Sequence, residues 1–229
     1  MTPIPKHHSG HPSTTLRGTN MEQRKRTNKL LYALQDFVSK DYTFRNIACI
    51  KFDLQRQTIE VTDGHAGIIL NTSKGLIASL ANEYAEYLGL DPVGGDFGVV
   101  KLAPKNGKKF PPERLPDEMN EKPDLWTVFR WDNQDPDNKS AVVAQSQLLR
   151  LNKLCKVLGV KLKLIPGSIK VAPLFQYGKC TYMGEEVKFC ICQMPMVYAR
   201  PEIPHVVITY ESLDELDRET MKDFMNIHR

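Results

Sequence analysis

A chain of 229 residues, 41% hydrophobic and 25% charged, has ordinary globular composition and enough length to bury a core. No apolar run approaches the ~18 residues that cross a bilayer, and the leading residues lack the apolar centre of a signal peptide, so a cytoplasmic protein without membrane contact is expected. The net charge of +4 comes from the start of the chain: Lys6, Arg17, Arg24, Lys25, Arg26 and Lys29 precede residue 30 against Glu22 alone, which leaves a near-neutral body and excludes a uniformly basic nucleic-acid binder.

Residues 1–20 are rich in Pro, Ser, Thr and His and are expected to be a disordered tail. A first helix is predicted from about residue 22–24 to Ser39. Leu30, Leu31, Leu34, Phe37 and Val38 share one face, and Lys25, Lys29, Tyr32 and Asp36 share the other. Residues 47–53 alternate as a strand, a turn follows near Gln55–Gln57, and residues 58–61 alternate as a half-buried strand. Asp63-Gly64 is a turn signal, because Gly allows positive φ and Asp tolerates it. An apolar strand then returns over residues 67–70.

A second helix is predicted over residues 74–88, with Ser73 as N-cap and Gly89 as its stop. Its apolar face holds Leu76, Ile77, Leu80, Tyr84, Tyr87 and Leu88; its other face, with Ser79, Asn82, Glu83 and Glu86, is acidic. Residues 99–102 read as a strand, and 104–124, with five prolines, as a loop or linker. A short aromatic strand (125–131) and a polar turn (132–139) follow. The third helix runs from Ser146, a good N-cap residue, to Leu158 before Gly159. Leu148, Leu151, Leu154, Cys155 and Leu158 lie on one side, with Arg150, Lys153 and Lys156 on the other. Strands are expected over 160–165, 168–174, 186–194 and 206–210, with a turn region around Gly178–Gly184. A last helix opens at Ser212, where Ser212 and Glu215 form a capping box.

Five cysteines, Cys49, Cys155, Cys180, Cys190 and Cys192, are an odd number without a Cys-x-x-Cys pair, so small buried hydrophobes are expected rather than disulfides or a zinc site. The chain has no Gly-rich phosphate loop, Gly-x-Ser-x-Gly or His-Glu-x-x-His. No metal or cofactor is therefore expected, and an enzyme is the lesser alternative, in the form of a small metalloenzyme using His65 and Asp63 with His205.

Two stretches, Thr62-Asp63-Gly64-His65 and Met194-Pro195-Met196, resemble the bacterial DNA polymerase sliding clamp (beta subunit) family. Thr62-Asp63-Gly64-His65, set after a helix and a strand, is similar to that family's Ala-Thr-Asp-Gly-His stretch. Residues 187–196, ending Met194-Pro195-Met196, are similar to its closing strand. The likeness covers residues 24–70 and 145–197. It departs where Ala66-Gly67 and Val197-Tyr198 stand in place of the family's Arg-Leu pairs, and the chain has material for one clamp domain or one and a half.

The resemblance implies an α+β fold, a DNA-clamp-like domain of two helix-plus-antiparallel-strand halves. The divisions are a tail (1–20), a first half with an extra helix (21–103), a linker or insertion (104–139), a second half (140–198) and an extension (199–229). It implies a processivity factor, shortened and of phage or mobile-element type, that tracks duplex DNA without reading sequence. Lys25, Lys29, Arg150, Lys153 and Lys156 would meet phosphates. Thr62, Gly64, His65, Met194, Pro195 and Met196 would border a groove for a DNA polymerase or other replication protein. Ring closure requires several copies, a homo-oligomer, or a larger partner. The alternative is an interaction module of the same fold that binds a replication protein rather than DNA.

Overall fold

The computed structural model describes residues 29–40, 47–105, 110–116, 140–164, 174–196 and 202–209. The fold is α+β. In chain order the elements are α1 (described over residues 29–35), β1 (Ile50–Asp53), β2 (Thr58–Thr62), β3 (Ala66–Asn71), α2 (Lys74–Leu88), β4 (Val99–Ala103), β5 (Glu113–Leu115), β6 (Ser140–Ala144), α3 (Gln145–Leu158), β7 (Leu174–Tyr182), β8 (Glu185–Gln193) and β9 (His205–Thr209). Seven strands form one antiparallel sheet in the order β5-β4-β1-β2-β3-β8-β7, and β6 pairs separately with β9. The seam of the large sheet is β3 against β8, from Ala66 opposite Gln193 to Asn71 opposite Lys188.

The helices and one sheet face share a single core. Leu30, Leu34 and Phe37 of the α1 segment, Ile77, Leu80 and Tyr84 of α2, and Leu151, Leu154 and Leu158 of α3 join Phe52, Ile59, Ile68, Phe189 and Ile191 of the sheet. Each such side chain contributes about 1.5–3 kcal/mol on leaving water, so this apolar face dominates the docking of the helices. The second sheet face is buried as well. All five residues of β2 are inaccessible, where alternation predicts a half-buried strand. Its polar residues satisfy one another: Lys51 Nζ lies 3.3 Å from Glu60 Oε2 and 3.6 Å from Asp53 Oδ2, and Thr58 Oγ1 donates to Glu60 Oε1 at 3.0 Å.

Helix α2 begins and ends where its sequence places it. Ser73 Oγ accepts from Leu76 N at 3.2 Å, and Gly89 closes the helix in the left-handed region. Tyr87 departs from the expected buried face. It is half exposed, with its ring edge-on to Tyr32 of α1 at 5.1 Å. Helix α3 is capped two residues earlier than expected. Its N-cap is Ala144, and Ser146 lies inside the helix. The first helical N–H, from Gln145, donates instead to Pro204 O at 2.9 Å, so a tertiary acceptor replaces the side-chain cap.

Residues 160–164 are not a strand. The Gln176 side chain occupies two backbone groups of this segment, accepting from Lys163 N at 2.8 Å and donating to Lys161 O at 2.7 Å. Gly178 lies within β7 rather than in a turn, which is confined to Met183-Gly184. Strand β5 falls inside the expected linker, and β9, in the expected extension, pairs with β6 of the second half. The expected elements at 125–131 and 132–139, the helix at Ser212, the tail 1–20 and Lys25 lie outside the described residues, as does 168–173 of the expected strand 168–174. Among the described residues no helix is long and apolar enough to cross a membrane.

Gly178 faces Phe189 across the β7–β8 ladder, and a Cβ at this position would stand 2.5 Å from Phe189 Cζ. The absence of a side chain lets the buried ring cover the strand. Gly178→Ala is therefore expected to lower stability by about 1–3 kcal/mol through overpacking. Combining it with Phe189→Leu should give a loss smaller than the sum of the two single losses, measured by urea unfolding.

Candidate functional site

The Thr62–His65 turn is built from its own side chains. Thr62 Oγ1 donates to Ala66 O at 2.7 Å and accepts from Gly64 N at 3.1 Å. Asp63 Oδ1 accepts from the amides of His65 at 2.9 Å and Ala66 at 2.8 Å. Gly64 has φ +84°, which a side chain would strain. Each of these residue types is thus accounted for by turn geometry. The turn leaves Gly64 and His65 exposed, with Thr62 buried beneath them.

The second predicted stretch meets this turn directly. Met194 N donates to His65 O at 2.8 Å, and Met196 N donates to Val142 O of β6 at 2.7 Å. Met194 and Met196 are half-buried and Pro195 is buried. All six predicted groove positions therefore fall in one neighbourhood. Residues that sequence reasoning missed complete it. Gln193, fully buried, directs Nε2 at His65 O (3.2 Å), Gln147 Oε1 (2.9 Å) and Met194 O (2.7 Å). On the ribbon, Val142 pairs with Val207, which is 56% exposed, so the two side chains share a face beside Met196. The apolar His-Val-Val-Ile-Thr run of β9 beside the Met-Pro-Met stretch was the available sequence signal.

The predicted phosphate-binding residues divide. Arg150 does not face open solvent. Its Nη1 donates to Asp63 Oδ2 at 2.6 Å and to Asp36 O at 2.7 Å, and its guanidinium lies 5.1 Å from the centre of the buried Phe37 ring. Lys153 Nζ donates to Asp36 Oδ2 at 2.6 Å. Lys156 and Lys29 are exposed. Gln147, Arg150 and Lys153, three residues apart along α3, form one polar edge that grips β8, the hairpin turn and the end of α1 in succession. The two ion pairs differ in weight. Arg150 and Asp63 have side chains only 28% and 12% exposed, against 52% and 37% for Lys153 and Asp36. The second belongs with surface pairs worth about 0–1 kcal/mol. The first also satisfies a carbonyl at the end of a helix, which would otherwise lack a partner.

Neither metal nor thiol chemistry is favoured here. Both Asp63 carboxylate oxygens are engaged, and His205 Nδ1 lies 3.0 Å from Ile203 O. Among the described residues no group of three His, Cys, Asp or Glu side chains could hold a metal. Burial pushes the Cys49 and Cys192 thiols up to about 12 and Cys155 to about 11, and raises Cys190 strongly. These thiols stay protonated and unreactive at neutral pH. A cavity of about 160 Å³ at the end of α1, lined by residues including Gln35, Ser39, Lys40 and Lys105, contains none of the predicted site residues. Compared with known proteins, the chain matches no protein-family model and no curated protein.

Two outcomes follow. Asp63→Asn keeps the Oδ1 acceptor for the turn amides and replaces the Oδ2 that accepts from Arg150 with an amide N–H, so it should cost about 1–2 kcal/mol, between surface and buried pairs. Asp63→Ala, which also strands two turn amides, should cost more, as read by denaturant unfolding. The thiols set a pH dependence. Their folded pKa lies above the unfolded value, 9.0 for an ordinary thiol, so their stabilising effect is complete below about pH 9 and is lost as pH rises toward 12. A Cys49→Ala, Cys192→Ala variant should show a shallower fall of the unfolding midpoint over pH 9–11 than the wild type.

Proposed function

We propose that this chain is a non-enzymatic interaction module of clamp-like build, which holds a short apolar segment of a replication protein against the Thr62–His65 turn. The observation that carries this reading is the hydrogen bond from Met194 N to His65 O, which joins two stretches widely separated in sequence. The turn and the Met194–Met196 segment thus form adjoining parts of one surface. His65 supplies an exposed polar tip, and Met194, Met196, Val142 and Val207 supply adaptable apolar area. A hydrophobic peptide laid beside Met196 gains both apolar burial and the polar groups around His65 for orientation.

A second reading, a DNA-tracking processivity factor acting as a homo-oligomeric ring, draws on exposed Lys153 and Lys156 along α3 and Lys29 on α1. It is the weaker of the two, because Arg150 and Lys153 already answer carboxylates of this same chain. A surface made to slide on phosphates keeps its cations free.

Selection of a displayed random-peptide library on the purified full chain separates the readings. Selected peptides are expected to be apolar and to lose at least about tenfold in affinity, about 1.4 kcal/mol, on Met196→Asp, with an unchanged thermal midpoint. Lys153→Glu with Lys156→Glu should leave that affinity intact. Failure to select any peptide, together with duplex retention abolished by the two lysine reversals, would replace the module with the DNA-tracking factor.

A further inference from the structure

The β6–β9 ribbon ends in a strand edge with uncommitted backbone. Val142 O accepts from Met196 N, so the backbone groups of Val142 point away from β9, and Gln145 N donates to Pro204 O across the ribbon. Bonded and non-bonded pairs alternate along an antiparallel ladder. Val142–Val207 is therefore a non-hydrogen-bonded pair, as are Ser140–Thr209 and Ala144–His205, while Ala141–Ile208 and Val143–Val206 exchange their bonds. The N–H and C=O groups of His205, Val207 and Thr209 thus face the outer side of β9, where no strand among the described residues pairs with them. Other described edges carry the protection that natural sheets use. Strand β5 has three residues, Glu113 and Arg114 among them, and β7 is buried over Leu174–Tyr177 and carries exposed Lys179. Strand β9 has none of these devices. Its His-Val-Val-Ile-Thr run holds no Lys, Arg, Asp, Glu, Pro or Gly, and Val206 and Val207, 41% and 56% exposed, point to opposite faces. It also lies outside the stretches that resemble the clamp family.

We propose that the outer edge of β9 is a docking site for an extended apolar segment of a partner protein, which adds to the ribbon as a third strand. The edge offers three donors and three acceptors at two-residue spacing, from His205, Val207 and Thr209. One extended chain satisfies that pattern and a helix does not. Side chains define the chemistry of the occupant. Its alternate residues lie beside Val207 on one face and Val206 on the other, so apolar or β-branched residues are favoured on both faces. Proline is excluded at the paired positions, because it has no N–H to donate. Size decides against a second copy of this chain. The five residues of β9 span about 17 Å, whereas a stable interface between folded proteins uses about 20–30 residues a side. A single short segment matches the edge. The backbone groups involved lie on the side of β9 away from Met196, so this contact does not need the groove beside the Thr62–His65 turn.

Amide hydrogen exchange on the full chain tests this, with a capped Lys-Thr-Val-Thr-Val-Thr-Val-Lys peptide as the probe. In the free chain the Val206 and Ile208 amides are expected to be protected, and those of His205, Val207 and Thr209 to exchange freely. Saturating peptide should slow the second set by at least about tenfold and leave the first set unchanged. The same peptide with its Thr and Val amides N-methylated keeps the side chains and loses the donors, and should give no protection. Val207→Pro removes one outward N–H and no bond to β6, so Val206 and Ile208 should stay protected while the effect of the peptide is lost. Equal protection by the N-methylated peptide, uniform protection along β9, or no protection at millimolar peptide overturns strand addition. The N-methylated comparison requires no variant, so the result stands even where Val207→Pro frays the ribbon. A concentration-dependent dimer that protects the His205 and Val207 amides without peptide overturns the partner segment in favour of a second copy.

Discussion

One guanidinium ties the end of α1, the hairpin turn and α3 to one another. Arg150 satisfies the carbonyl of Asp36 at the end of α1 and the carboxylate of Asp63 in the hairpin turn, and lies over Phe37, which is fully buried. Around such a point, apolar packing provides most of the energy and little of the alignment. Leucines tolerate small shifts, whereas an N–H to carboxylate contact weakens steeply with angle and distance. The polar edge of α3 thus sets where the helix sits along the sheet, and the leucines beneath determine how tightly it stays.

The large sheet shows the same division of labour. On the face toward the helices, Phe52, Ile59, Ile68 and Ile191 meet an apolar layer. On the other face Lys51 lies between the carboxylates of Asp53 and Glu60, and Thr58 donates to Glu60. Mutually paired charges of this kind are a modest source of stability, but they fix which residue opposes which. Asp53 opposite Thr58 and Lys51 opposite Glu60 are allowed together in only one register of β1 against β2.

The elements legible in the sequence were those whose signals are local. Ser73 and Gly89 bracket α2 because a cap and a left-handed stop act within a few residues. The Thr62–His65 turn is likewise self-contained; the α+β fold was expected from the family resemblance. The features that sequence reasoning misplaced depend on partners far along the chain. Arg150 and Lys153 read as a free cationic stripe, because Asp63 and Asp36 are brought opposite them only by the tertiary fold. Gln176 and Gln193 carry no periodic signal, yet one holds the backbone of residues 161 and 163 and the other binds His65, Met194 and Gln147 together. Gly178 resembled a turn residue because glycine in a strand is explained only by the ring of Phe189 opposite it. The elements of the candidate groove were legible as two motifs; the Val142–Val207 pair beside them was not.

The β3–β8 seam bears on how the protein is made. His65 and Gln193, which meet at its end, lie 128 residues apart in the chain. At a synthesis rate of about 5–20 residues per second, β3 leaves the ribosome roughly 6–25 seconds before its partner strand. During that interval the Ala66–Asn71 strand, central and apolar in the finished sheet, is paired on one side only, with β2. A nascent chain in this state exposes a hydrophobic strand edge, the geometry most prone to join a neighbouring copy. Slow emergence, crowded polysomes and scarce chaperone are therefore the circumstances under which this fold is most exposed to aggregation, long before any partner is met.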